Sequence, residues 1–230
     1  MGYLANILSF LSLACAFGSI IFSLEEHFTF ASWAIIFSVI IDGLDGQIAK
    51  RYKLTSEFGR ELDSLVDVIA FGIAPSVLGY IFIYRDFYLS ASLTLFVYLF
   101  CSVFRLAKYN VTPKTKLVNY FYGLPTTVSG GVLASFILIY RKKLGVSVPY
   151  YFQLAFIALV LALAFLMISR VRYLNLDGIK QIFGKKLKLI FVFLFILFVL
   201  AAFFRKIGIT TFLLFYLYLI FSPYLVRRLE

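Results

Sequence analysis

The sequence predicts an all-α fold, a polytopic membrane helix bundle of about eight transmembrane helices, and three observations carry that expectation. Of 230 residues, 63% are hydrophobic and mean hydropathy is +0.97, against about 45–50% apolar residues in a soluble domain. The apolar runs are long enough to cross a hydrocarbon core of about 30 Å as helices, and they do not alternate as short strands would. Four aspartates then stand at helical spacing between residues 42 and 67, beside two of those runs. Acids so placed are costly near lipid, which marks them as functional.

Taken in order, the spans are expected at 3–24, 29–50, 64–84, 88–107, 121–140, 150–170, 187–204 and 209–226. The first lacks a positive n-region and a small-x-small cleavage site, so it reads as mature protein rather than a signal peptide. The second ends in Asp42, Asp45 and Gly46, and the third begins with Asp63 and Asp67. The fourth ends in Arg105, Lys108 and Asn110. Pro75 and Pro125 each follow a glycine-containing stretch, and either kinks or simple helix ends suit them. The last two spans carry no acids. They read as two added helices, 176–230, on a six-helix domain, 1–175. Cys15 and Cys101 fall within spans as packing thiols, with no disulfide framework. His27 follows Glu25 and Glu26 in a short solvated loop.

The formal net charge of +11 could suit nucleic acid or anionic lipid; its distribution favours the membrane. With eight spans, one side collects the cations near 50–60, 105–116, 170–188 and 227–228, sixteen in all. The other side has Arg85, Arg141, Lys142, Lys143, Arg205 and Lys206. The positive-inside rule then places both termini in the cytoplasm. The four acids lie on that same side, within reach of a soluble substrate.

Helix positions three and four apart share a face. Asp42, Asp45 and Ala49 line one face of the second helix, and Gly59, Asp63 and Asp67 one face of the third. If the helices are antiparallel the faces meet and four carboxylates converge. A divalent cation relieves their repulsion, and an oxygen-only donor set suits magnesium, manganese or calcium rather than zinc. Two ions sharing four acids would serve in-line phosphoryl chemistry. Gly46, Ala49 and Gly59 leave room for a flat group to approach the backbone, although close helix packing uses small residues too.

The pattern Asp42-x-x-Asp45-Gly46-x-x-Ala49-Lys50, eight residues, then Gly59-x-x-x-Asp63-x-x-x-Asp67 resembles the signature of the CDP-alcohol phosphotransferases. Lys50 stands where that family has arginine, which keeps the charge and loses the bidentate fork. Asp63-Ser64-Leu65-x-Asp67, Phe71-Gly72-x-Ala74-Pro75, Phe104-Arg105-Leu106-Ala107-Lys108-Tyr109-Asn110, Phe121-x-Gly123-Leu124-Pro125 and Met167-Ile168-Ser169-x-Val171-x-Tyr173 look like its phosphatidylserine synthase branch. Asn6 and Ser9 resemble the family's N-terminal element. The resemblance covers about residues 4–175.

The resemblance implies transfer of the phosphatidyl group from CDP-diacylglycerol to the hydroxyl of L-serine, with release of CMP. It implies two divalent cations, Mg2+ or Mn2+, a homodimer, and no nucleic-acid partner. Asp42, Asp45, Asp63 and Asp67 would be metal ligands, with Asp67 doubling as general base. Asn6, Ser9, Asp45, Gly46, Ala49, Lys50, Ser56 and Gly59 would line the nucleotide site. Arg105, with Lys108 and Asn110, would hold serine's carboxylate or a phosphate, the guanidinium fork fitting either; snorkelling of a helix-end cation competes with that role. Glycerol phosphate, inositol phosphate or choline as acceptor is an alternative within the family. A divalent-cation transporter is the alternative outside it, although such proteins place their ligands nearer the membrane midplane.

Overall fold

A computed structural model describes residues 2–52, 57–112, 120–140, 148–175, 178, 184 and 207–226, with side chains from Ile7 onward apart from 48–52, 84–87 and 207. The first two helices, α1 (Gly2–Leu24) and α2 (Phe28–Tyr52), form an antiparallel hairpin. Its turn closes with the His27 N–H donating to Phe22 O at 2.8 Å, and Glu26 adopts a positive φ of 57°. Buried serines join the pair: Ser12 and Ser38 hydroxyls meet at 2.6 Å, and Ser19 donates to Ala31 O at 2.9 Å. Small hydroxyl residues let helix backbones approach closely where no water competes for the bond.

The next helix is compound. It comprises α3 (Glu57–Asp67), a π-helical segment (Val68–Ile73) and α4 (Ala74–Val111). Pro75 lies where the π segment passes into α4, inside the compound helix rather than at a free helix start. The range of α4 comprises two antiparallel arms, the chain reversing direction between Ile83 and Tyr88. Tyr98 bonds Phe71, and Gly79 faces Leu95, whereas residues 27 apart on a straight helix lie about 40 Å apart. The expected third span corresponds to Glu57–Ile83, which takes in α3, the π segment and the first arm of α4, and the fourth to Tyr88–Val111.

Span five starts later than expected. Residues Tyr120–Tyr122 form a strand, β1, and the helix α5 covers only Thr126–Tyr140. Between them Gly123 takes a φ of +76° and Pro125 follows, which together exclude helix until Thr126. At 15 residues α5 is too short to cross about 30 Å of hydrocarbon alone. It is buried along most of its length, at Gly130, Leu133, Ala134 and Ile137 among others, so protein rather than lipid surrounds most of it. Helix α6 (Tyr150–Ile168) leads to strand β2 (Arg172–Leu174), which pairs antiparallel with β1, Phe121 opposite Tyr173. The final described helix is α7 (Ile207–Val226).

Six helical segments among the described residues are long and apolar enough to cross a membrane, and α5 is a shorter apolar helix. The span expected at 187–204 lies outside the described residues. The chain is an all-α integral membrane protein. Its outward faces carry Phe10, Phe17, Phe37, Phe96 and Phe100. Inside, Phe82 makes edge or tilted contacts with Phe28, Tyr140 and Phe156 at 5.5–5.8 Å. That aromatic knot holds one end of the bundle. At the other end, the C-terminal part of α2, α3, the last turns of α4, the start of α5 and the β1–β2 strip come together.

Candidate active site

The site is built at that second end. Asp42 and Asp45 are one turn apart on α2, and Asp63 and Asp67 one turn apart on α3. Packing brings carboxylate oxygens of Asp42, Asp63 and Asp67 within 4.8 Å of one another. Oxygen ligands on opposite sides of one hard divalent cation lie about 4–5 Å apart. The donor set and its spread therefore fit a single such ion without rearrangement.

Asp45 lies beside this triad, near enough to Asp42 and Asp63 to repel both, yet outside the 4.8 Å cluster. It is 6% exposed. Its Oδ2 accepts from the Ser9 hydroxyl at 2.9 Å, and its Oδ1 is buried with no partner among the described residues. A buried carboxylate oxygen left in that state costs about 1–3 kcal/mol or more, so the position suits a ligand contact. Ser9, from α1, thus enters the site by orienting Asp45.

The π segment explains the aim of Asp67. Ala74 donates to Ile69 O, five residues back, so the helix takes an extra residue immediately after Asp67. Such bulges re-aim side chains and recur at functional sites. The displaced backbone is repaired from outside the segment: the Tyr98 hydroxyl lies 3.0 Å from Phe71 O and 3.1 Å from the Ser129 hydroxyl.

Arg105 closes the site opposite the acids. It is 9% exposed and interacts electrostatically with Asp67 and Asp42. Its Nη1 donates to the Thr126 hydroxyl at 3.3 Å, and its guanidinium lies 5.7 Å from the Tyr109 ring centre. The Nε proton is buried without a partner among the described residues. A snorkelling cation reaches for water, and this one points inward, leaving donors for an anion.

The remaining expected residues divide. A Cβ on Gly46 would meet open space, so Gly46 serves no helix contact among the described residues and leaves room beside Asp45. Gly59 is partly exposed on α3. Asn110 donates to the Ser64 hydroxyl at 2.9 Å, tying the end of α4 to α3 next to Asp63. Lys108 is exposed in the last turn of α4. The side chains of Asn6, Ala49 and Lys50, and all of Ser56, lie outside the described residues. Thr126, Tyr98 and Tyr109 contribute to the site without an expected role of their own. Tyr109 lies within the Phe104–Asn110 segment and Thr126 directly follows Gly123-Leu124-Pro125, whereas Tyr98 carries no local signal.

Comparison with known proteins agrees with this geometry. Residues 2–168 match the CDP-alcohol phosphatidyltransferase family. A Helicobacter pylori protein named CDP-diacylglycerol–serine O-phosphatidyltransferase is 31% identical over 199 residues, 84% of this chain and 81% of the relative. A Methanothermobacter thermautotrophicus protein named archaetidylserine synthase is 30% identical over 177 residues, 76% of this chain and 71% of the relative. A Bacillus subtilis protein with the same name as the first is 29% identical, over 63% of this chain and 80% of the relative. The aspartate triad, the oriented Asp45 and the match over most of the chain lead to one conclusion: this protein belongs to the CDP-alcohol phosphatidyltransferase family.

Proposed function

We propose that the protein transfers the phosphatidyl group of CDP-diacylglycerol to the hydroxyl of L-serine, giving phosphatidylserine and CMP. The observation that carries this reading is the convergence of Asp42, Asp63 and Asp67 within 4.8 Å, opposite the buried Arg105. The relatives' names support the acceptor more firmly than the lipid. Serine figures in both the phosphatidyl- and the archaetidylserine names, while the lipid part differs. An archaeal-type lipid donor is accordingly the second reading.

In this reading Asp42, Asp45, Asp63 and Asp67 hold two divalent cations, magnesium or manganese. Those ions would supply charge stabilisation for the diphosphate and its leaving group. Asp67 takes the proton of the serine hydroxyl, a poor nucleophile at neutral pH that needs a base within hydrogen-bond reach. Arg105 receives serine's carboxylate with its free donors, which fixes the hydroxyl relative to Asp67. The new bond joins the serine oxygen to the phosphorus bearing the lipid, and the bond to CMP breaks. Gly46 leaves space for the nucleotide beside Asp45. The lipid tails stay in the bilayer while the headgroup reacts at the cytoplasmic interface, with both chain termini on that side. A homodimer is part of the same reading, and its mass in detergent or nanodiscs tests it.

The deciding experiment is CMP release by purified protein given CDP-diacylglycerol, with and without L-serine, in magnesium or manganese and then in EDTA. Serine-dependent, EDTA-sensitive release is the expected result. Release with glycerol phosphate or inositol phosphate but not serine would overturn the acceptor. No release with any acceptor, together with cation flux into liposomes, would overturn the enzyme reading.

A further inference from the structure

The last helix grips one residue of the β1–β2 strip by both of its backbone groups. Ser222 accepts the Leu174 N–H at 2.6 Å, and the Tyr218 hydroxyl donates to Leu174 O at 2.7 Å. Residues four apart share a helix face, so one face of α7 reads the donor and the acceptor together. The Tyr218 ring also stacks on Tyr173, centroids 6.2 Å apart and planes at 23°. Ser222 is 3% exposed and Tyr173 1%. The family match ends at residue 168, before β2 and α7.

From Leu174 a continuous set of contacts leads to Arg105. Leu174 lies opposite Tyr120 in the strip, and Tyr173 opposite Phe121. The strip continues into Gly123, whose N–H donates to Val171 O at 2.8 Å, and then to Thr126. Phe121 packs edge-on against Tyr109 at 5.6 Å, under the Arg105 guanidinium. Thr126 accepts from Arg105 itself. Tyr218 is also within electrostatic range of Arg105. The segment 120–126 therefore supports Arg105 on two sides, and α7 holds that segment from behind.

We propose that Tyr218 and Ser222 form a clamp that positions the acceptor side of the site, holding the β1–β2 strip so that Phe121 and Thr126 fix Arg105 for the acceptor's carboxylate. This rests on the reading of Arg105 as the acceptor-binding residue. Both are positioning residues, since neither touches the reacting groups. The metal and nucleotide side is built on α1, α2 and α3, and the clamp on α7 and β2.

The test is a steady-state comparison of wild type, Tyr218→Phe, Ser222→Ala and Ser222→Thr, varying serine, CDP-diacylglycerol and manganese in turn. Tyr218→Phe and Ser222→Ala are expected to raise the KM for serine about tenfold. The KM for CDP-diacylglycerol and the manganese requirement stay within about twofold, and Ser222→Thr restores the serine KM. An equal rise in both substrate KM values, or no change in either, overturns the clamp. Hydrogen exchange at Leu174 and across 120–126 provides a readout independent of the acceptor. Faster exchange in Tyr218→Phe, with α2 and α3 unchanged, supports the clamp, and unchanged exchange overturns it. Wild-type protein inactive with serine would sink the proposed function alone, and the exchange result would still decide the clamp.

Discussion

The hydroxyl of Tyr98 stands 3.0 Å from the carbonyl of Phe71, across the turn-back of α4. This bond does for the π segment what a cap does for a helix end. An extra residue in the turn disturbs the regular ladder of bonds, and a buried carbonyl so displaced needs another donor. Tyr98 is fully buried and brings one. Because the segment begins immediately after Asp67, the bond also helps to set where that carboxylate points.

Tyr98→Phe removes the donor to Phe71 O together with the bond to the Ser129 hydroxyl. The expected loss of stability is about 1–3 kcal/mol, the cost of a buried acceptor left unpaired. Thermal unfolding in detergent reads it as a lowered midpoint. Turnover should fall while substrate KM values hold, since the change displaces Asp67 rather than the binding groups. Unchanged unfolding and turnover together would show that the π segment needs no outside support.

Asp67→Asn keeps the shape of the side chain and removes its capacity to accept a proton. A general base contributes about 10²–10⁴-fold, so kcat should fall within that range or beyond. Binding of CDP-diacylglycerol, measured by ligand-induced thermal shift in manganese, should persist. Retention of more than a tenth of wild-type turnover would remove Asp67 as the base.

The acids of the site were legible because helical spacing alone puts Asp42 with Asp45 and Asp63 with Asp67 on common faces, and composition made four such acids conspicuous. The connecting loop allows the helices to lie antiparallel, which is the condition for the two faces to meet. The sequence did not reveal the offset of Asp45, which follows from a hydroxyl 36 residues earlier, Ser9. Nor did it disclose the π segment, since Val68–Ile73 reads as any apolar helical run and its support comes from Tyr98, far along the chain. The β1–β2 strip was hidden for a similar reason. Two strands of three residues, 52 positions apart at Tyr120 and Arg172, leave no alternation long enough to register. Helix α7 was anticipated as an addition to the core, whereas its bonds to Leu174 are long-range contacts that no local pattern encodes.

Ser9→Ala leaves Asp45 buried without its oriented donor. Groups that orient a metal-binding side chain are commonly worth about 10–100-fold in metal affinity. The manganese concentration for half-maximal activity should rise about tenfold, with kcat largely recovered at saturating metal. A loss of kcat that excess manganese does not restore would place Ser9 in the chemistry itself rather than in orienting Asp45.

Two glycines of the site region differ in what they tolerate, and substituting alanine at each separates structural from functional use. At Gly123 a Cβ would collide with the Met167 carbonyl, and the residue sits at φ +76°. Neither the backbone of α6 nor the strip can yield cheaply, because Gly123 also bonds Val171 and Leu124 bonds Leu166 O. The left-handed conformation adds about 1–2 kcal/mol for a residue with a Cβ. Gly123→Ala should therefore lower the unfolding midpoint and the yield of folded protein, whatever ligand is present. At Gly46 a Cβ meets open space, and alanine is the better helix former by about 1 kcal/mol. Gly46→Ala should fold at least as stably as wild type, yet raise the KM for CDP-diacylglycerol if the nucleotide approaches the backbone there. An unchanged KM in a folded Gly46→Ala protein would move the nucleotide away from this face of α2.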